Sequence, residues 1–174
     1  MDLMLRKTSL LFIAVAIFCS VNSALAQEKP STPEQRKAAV EMITFLETSP
    51  LAKEAKDYRT KLFTFLVAVP DITVTLCPSV LGEEKRRKGD YDSELVTFQL
   101  MFSQAKFVIE NPDKAQDDAA VYLAGVEGVL RTWEAIKTAK PKAKFPLMDE
   151  LLQKRQAGTL ADHVKTGMSG CKSN

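Results

Sequence analysis

An all-α fold is what this sequence predicts, and three observations predict it. Apolar residues recur at a period of 3.6 over most of the chain, and cap-then-proline signals open the periodic stretches. The one run of alternating β-branched residues, 71–76, has no second run to pair with. The expected architecture is a single helical bundle over 32–174, with five main helices, a short C-terminal helix and one extended segment near 71–76. A signal peptide, 1–26, and a flexible polar lead, 27–31, precede it.

The first helix starts at Thr32-Pro33-Glu34-Gln35, which sets a capping threonine, a proline at the first helical position and a glutamine three after the cap. Ala39, Met42, Ile43 and Leu46 form its apolar face, and it stops near Thr48. Ser49-Pro50 repeats the signal, so a second helix is expected from Pro50 to Val67, with Leu51, Ala55, Tyr58, Leu62, Phe65 and Leu66 inward. Phe63, Val67 and Val69 make its end apolar nearly all round, which predicts a buried end. Asp71 to Leu76 is read as an extended segment lying on the helices, and Pro78 to Gly82 as a single helical turn.

Gly82 to Asp90 is a charged surface loop. Asp90 or Asp92 then caps a third helix to about Glu110, with Tyr91, Leu95, Phe98, Met101, Phe102, Ala105 and Ile109 inward. Asn111-Pro112-Asp113 breaks it, because the residue before proline resists the helical region, and the turn predicts an antiparallel hairpin with the fourth helix. Leu147 to Gln156 is a shorter helix stopped by Gly158. A last helical segment runs from Thr159 to about Lys165, and Gly167 to Asn174 forms a small-residue tail.

The fourth helix, Asp117 to Ala139, organises the rest. Ala119, Tyr122, Leu123, Val126, Val129, Leu130, Trp133 and Ile136 make a wide apolar stripe, and Val121, Ala124, Gly125, Gly128, Thr132 and Ala135 a second face of small or modest residues. Glu127, Arg131 and Glu134 form a wet wedge in which Arg131 can pair with either carboxylate. This pattern predicts a central helix with neighbours on two sides. Each interior glycine costs about 1 kcal/mol relative to alanine, so Gly125 and Gly128 call for a close neighbour: another helix, or a ligand or partner against the exposed backbone. Tyr122 and Trp133 are candidates either for the core or for a binding groove.

Arg6 and Lys7, the apolar run Leu10 to Phe18, and Ala24-Leu25-Ala26 before Gln27 have the order of a cleaved export signal. The run is too short to span a bilayer; an uncleaved anchor is the alternative. Periplasmic or secreted localisation is therefore expected. Cleavage removes Asp2, Arg6 and Lys7, which lowers the formal charge from +2 to +1 and argues against a nucleic-acid binder. Lys85-Arg86-Arg87-Lys88 is a compact basic run, suited to a solvated loop or to an anionic lipid or acidic partner. Cys77 and Cys171 are the pair left for an oxidising compartment. A disulfide between them is expected to contribute about 4–5 kcal/mol through loop closure; free thiols and an intermolecular bond are the alternatives.

Candidate chemistry is sparse. His163 is the only histidine, beside Asp162, and adjacent helical positions point apart. Asp90-x-Asp92-x-Glu94 opens like a calcium loop, but Leu95 stands where the sharp-turn glycine belongs, so helix capping explains these acids. Asp117 and Asp118 likewise suit a helix N-terminus. No catalytic set, metal site or cofactor is expected. Val69-Pro70-Asp71-Ile72, Asn111-Pro112-Asp113-Lys114, Tyr122-Leu123-Ala124-Gly125-Val126-Glu127-Gly128 and Lys140-Pro141-Lys142-Ala143-Lys144 together resemble a group of exported bacterial all-helical proteins. The unit from Leu95 to Leu130 is similar to the second half of the Rap1a/Tai periplasmic immunity proteins, although the cysteines here are placed differently. The leading expectation is a non-enzymatic exported binding protein of the cell envelope, whose partner is a protein or another envelope component. The alternatives are an immunity-type toxin inhibitor, as the resemblance implies, and a carboxylate-dependent hydrolase using Asp90, Asp92 or Glu94.

Overall fold

Thr32 starts the first helix with both halves of a capping box. Its hydroxyl accepts from the Gln35 backbone N–H at 3.2 Å, and the Gln35 side chain accepts from the Thr32 N–H at 2.8 Å, opening α1 (Pro33–Thr48). The computed structural model describes residues 29–82 and 93–171, with side chains from Leu95 onward in the second stretch. The expected signal peptide, Lys85, Arg86, Arg87, Lys88, Asp90, Asp92 and the Glu94 side chain therefore lie outside the described residues. Described residues form six α-helices with no strand among them.

The second helix begins later than its proline suggests. Instead of starting at Pro50, α2 spans Ala55–Ala68. Two successive three-residue turns intervene, Ala52 N–H to Ser49 O and Ala55 N–H to Ala52 O, each bonding one residue short of the α-helical partner. Arg59 holds them by donating to the Pro50 carbonyl at 2.7 Å. Leu51 is carried outward as a result. The end of α2 also departs from expectation. Leu62 is fully buried and Val69 is buried as expected, but Phe63 is 46% and Val67 64% exposed, because only one side of the helix meets α1 and α3.

Beyond α2 the chain bends at Pro70 and Asp71 and then runs as far as Leu76 without helix or strand. Ile72 sits in an apolar cluster with Ala105, Val108 and Val121. A 3-10 turn, Pro78–Leu81, buries Val80 and Leu81 completely, and Gly82 ends it at φ +105°, a region that favours glycine. The lead before α1 is tied at its last residue: Ser31 donates from its N–H and its hydroxyl to the two carboxylate oxygens of Asp71, and Arg36 binds the same carboxylate.

Helices α3 (Ser93–Glu110) and α4 (Asp118–Ala139) flank a 3-10 turn at Pro112–Lys114 and pack along their lengths. Asp117 caps α4 by accepting from the Ala120 N–H. α4 also touches α1, α5 (Pro146–Gln156) and α6 (Leu160–Ser169), and it supplies the middle of the largest buried cluster. α6 runs one turn past the expected Lys165. Its Gly167 lies so close to the 3-10 turn that a Cβ would come within 2.7 Å of the Ser79 carbonyl oxygen and the Val80 Cα. That contact holds the final turn in place and delivers Cys171 to Cys77, where the pair stands at disulfide distance with Cα atoms 5.7 Å apart.

Candidate functional site

Where α1, α3 and α4 meet, a glutamate is buried. Glu47 lies four residues after Ile43 and eight after Ala39, on the apolar side of α1, and is 3% exposed. Both carboxylate oxygens are occupied. Arg131 forks onto them, Nε to Oε2 at 2.9 Å and Nη2 to Oε1 at 2.8 Å. Ser103 donates its hydroxyl to Oε1 at 2.8 Å, and Lys106 reaches Oε2 at 3.4 Å. Gln99 donates to the Ser103 oxygen in turn. Burial alone raises the Glu47 pKa, but the Arg131 and Ser103 hydrogen bonds and the Arg131 and Lys106 charges outweigh it and hold the carboxyl below its ordinary value of 4.5.

The clasp exists because α4 carries a glycine there. A Cβ on Gly128 would stand 1.9 Å from the Ser103 oxygen and 2.7 Å from Glu47 Oε1. One turn earlier, a Cβ on Gly125 would meet Gln104 Cγ at 2.7 Å and the Leu100 carbonyl at 3.0 Å. Both glycines are buried beneath α3. Tyr122 and Trp133 are also buried: Trp133 donates its indole N–H to Asp149 at 2.9 Å and meets Phe145 edge-on. The wet wedge of α4 divides differently from its sequence spacing. Arg131 goes to Glu47 on α1, while Glu127 and Glu134 are both taken by Arg155 of α5. A bidentate partner at a buried carboxylate outcompetes an exposed neighbour one turn away on the same helix.

Above the clasp, α3 and α4 leave an open groove of about 620 Å³. Phe107, Leu123, Ala120 and Ala124 supply its apolar lining, Lys106, Glu127 and Arg131 one charged end, and Glu110, Lys114 and Asp117 the other. Arg131 is the element common to both features: its side chain is 44% exposed although its guanidinium is fixed by Glu47. The clasp is poorly suited to moving protons, since its carboxylate is saturated by donors and its serine is 2% exposed. It fits a positioning role, fixing a cation in the groove wall.

Sequence reasoning missed Glu47, Ser103, Gln99 and Gln104. Their signal was present, because each is a polar residue at a helical spacing reserved for the core. His163 lies half-buried on α6 and takes no part in the Glu47 clasp. Among the described residues, no group of acidic, cysteine and histidine side chains is gathered for a metal. Comparison of the chain with protein-family profiles, with curated proteins and with solved structures gives no match.

Proposed function

We propose that the chain is a non-enzymatic helical binding protein exported to the cell envelope, which engages a protein partner through the groove between α3 and α4. The observation that carries this reading is the Arg131 side chain, half-exposed in the groove wall while Glu47 fixes its guanidinium from below. A charged group fixed in advance loses little freedom when a partner arrives, which favours recognition over collapse. Small residues at Ala120 and Ala124 let a partner side chain approach the α4 backbone. Export is supported by the order of Arg6 and Lys7, the apolar run and Ala24-Leu25-Ala26.

Photo-crosslinking in cells tests the reading. A photoreactive side chain at Ala124 is expected to give a discrete adduct in the envelope fraction, and Glu110→Lys, at an exposed side chain of the same groove, is expected to weaken it without altering the thermal melt. Equal labelling from Lys142, in the loop after α4, would sink the proposal. Mass spectrometry of the same fraction is expected to find Gln27 at the N-terminus; an intact Met1 in a cytoplasmic fraction would overturn export.

A further inference from the structure

Two surface features of the molecule are opposite in shape. The groove between α3 and α4 is concave, and the small residues Ala120 and Ala124 leave room along its α4 wall. The outward side of α2 is convex and carries bulk. Thr60, Phe63, Thr64 and Val67 stand there at i, i+3, i+4 and i+7, all exposed, which is the spacing of a helix that anchors in a groove. Phe98 braces Phe63 edge-on at a centroid distance of 5.8 Å and holds the ring at the surface. The charges are opposite too. Lys56 continues the ridge one turn before Thr60, and these five residues include no carboxylate. At the groove's turn end, Glu110, Asp117 and the neighbouring Asp113 are three carboxylates against one cation, Lys114. The spacings agree as well. Lys56 to Phe63 and Asp117 to Ala124 are each seven residues, about 10 Å of helix. An α2 ridge laid along α4 with Lys56 at Asp117 therefore sets Phe63 over Ala124, between Phe107 and Leu123, and Val67 one turn further on, against the side-chain stems of Lys106 and Arg131.

We propose that the groove's partner is a second copy of this chain, whose α2 ridge docks into it, so that the protein assembles head to tail. The proposal rests on the groove reading above and names its partner. Two grooves face to face would enclose a void over Ala120 and Ala124, which close packing disfavours, so the contact joins unlike surfaces rather than a surface to its own two-fold copy. Each copy then offers a ridge to one neighbour and a groove to another. One helix in one groove lies at the small end of interface sizes, which makes the assembly weak, reversible and dependent on concentration. A lysine set on an acidic groove end makes it sensitive to salt.

Sedimentation velocity tests it, using the protein as recovered from cells. The weight-average mass is expected to rise with concentration past that of a dimer, and to rise less at high salt. Val67→Glu on the ridge and Ala124→Arg in the groove are each expected to weaken self-association by roughly tenfold or more, and Lys56→Glu to weaken it at low salt only. Mixing the Val67→Glu and Ala124→Arg proteins is the deciding arm. Each keeps the surface that the other lacks, so the mixture is expected to form a one-to-one dimer that grows no further. Should Ala124→Arg unfold the protein, Glu110→Lys replaces it, since that side chain is exposed. A chain that stays monomeric at every concentration, assembly unaffected by these substitutions, or a mixture that stays monomeric would each overturn the proposal. The photo-crosslink at Ala124 separates this failure from that of the groove reading. A monomeric chain whose Ala124 adduct is a different protein leaves the groove reading standing, whereas a monomeric chain with no adduct removes both.

Discussion

Gly128 shows how much one missing carbon decides. Ser103 and Glu47 occupy the space its side chain would take, so Gly128→Ala must displace the buried carboxylate that Arg131 binds. We expect a loss of about 3–5 kcal/mol, read as a lower urea midpoint. Gly125→Ala presses on flexible Gln104 and Leu100 side chains but also on a backbone carbonyl, and about 1–3 kcal/mol is expected. Equal costs at the two positions would show that the clasp adds nothing beyond packing. Gln104 is the opposite case. Its amide is fully buried, and neither its nitrogen nor its oxygen has a hydrogen-bond partner. Gln104→Leu removes an unmatched polar group at similar volume and is expected to stabilise the protein by about 1–3 kcal/mol. A lower melting temperature would mean that the amide is held by a bound water.

At the scale of elements, the extended segment and the 3-10 turn after α2 act as a strap that only tertiary contacts hold. Ile72 fastens it to the α3 and α4 pair, Val80 and Leu81 insert into the core, and Gly167 of α6 closes over the turn. The cysteines join this strap to α6 across 94 residues of sequence. Cys77→Ser is expected to cost about 4–5 kcal/mol through lost loop closure. Hydrogen exchange should show that cost concentrated in α6 and residues 77–81; a uniform rise in exchange over all helices would contradict the strap. The length of α6 follows from the same contact. Its sequence alone suggested a stop before Gly167, since glycine weakens an isolated helix, whereas here that glycine is what lets the helix dock.

For the whole molecule, the buried carboxylate makes stability depend on acid. Glu47 joins α1 to α3 and α4, and its pKa is lower in the folded chain than in the unfolded one. A depressed pKa contributes stability that is present above the unfolded value and is lost as pH falls through the folded value. The urea midpoint is therefore expected to be level from neutral pH to about pH 5, and to fall below Glu47's ordinary 4.5. Glu47→Gln should flatten that fall while lowering the plateau. Asp71, held down by Ser31 and Arg36 against its own burial, adds a smaller component on the same acid side. An unchanged acid limb in the glutamine variant would show that Glu47 does not couple the three helices.

Local pattern was enough to define the helical class, the Thr32 cap, the α3 and α4 hairpin and the apolar stripe of the central helix, because capping and 3.6 periodicity act over a few neighbouring residues. Those same signals placed the start of α2 at Pro50 and buried its end. The start did not hold and of the end only Val69 is buried, since the turns at 49–55 and the exposure of Phe63 and Val67 depend on what α2 packs against. Arg131 is the clearest case. Its spacing offers two partners on its own helix, yet it binds Glu47, 84 residues away in sequence. Sequence by itself determined which segments become helices and which face of each is apolar. Only the tertiary structure decided which charges meet, because a carboxylate that packing takes out of water must find its donors wherever the fold brings them.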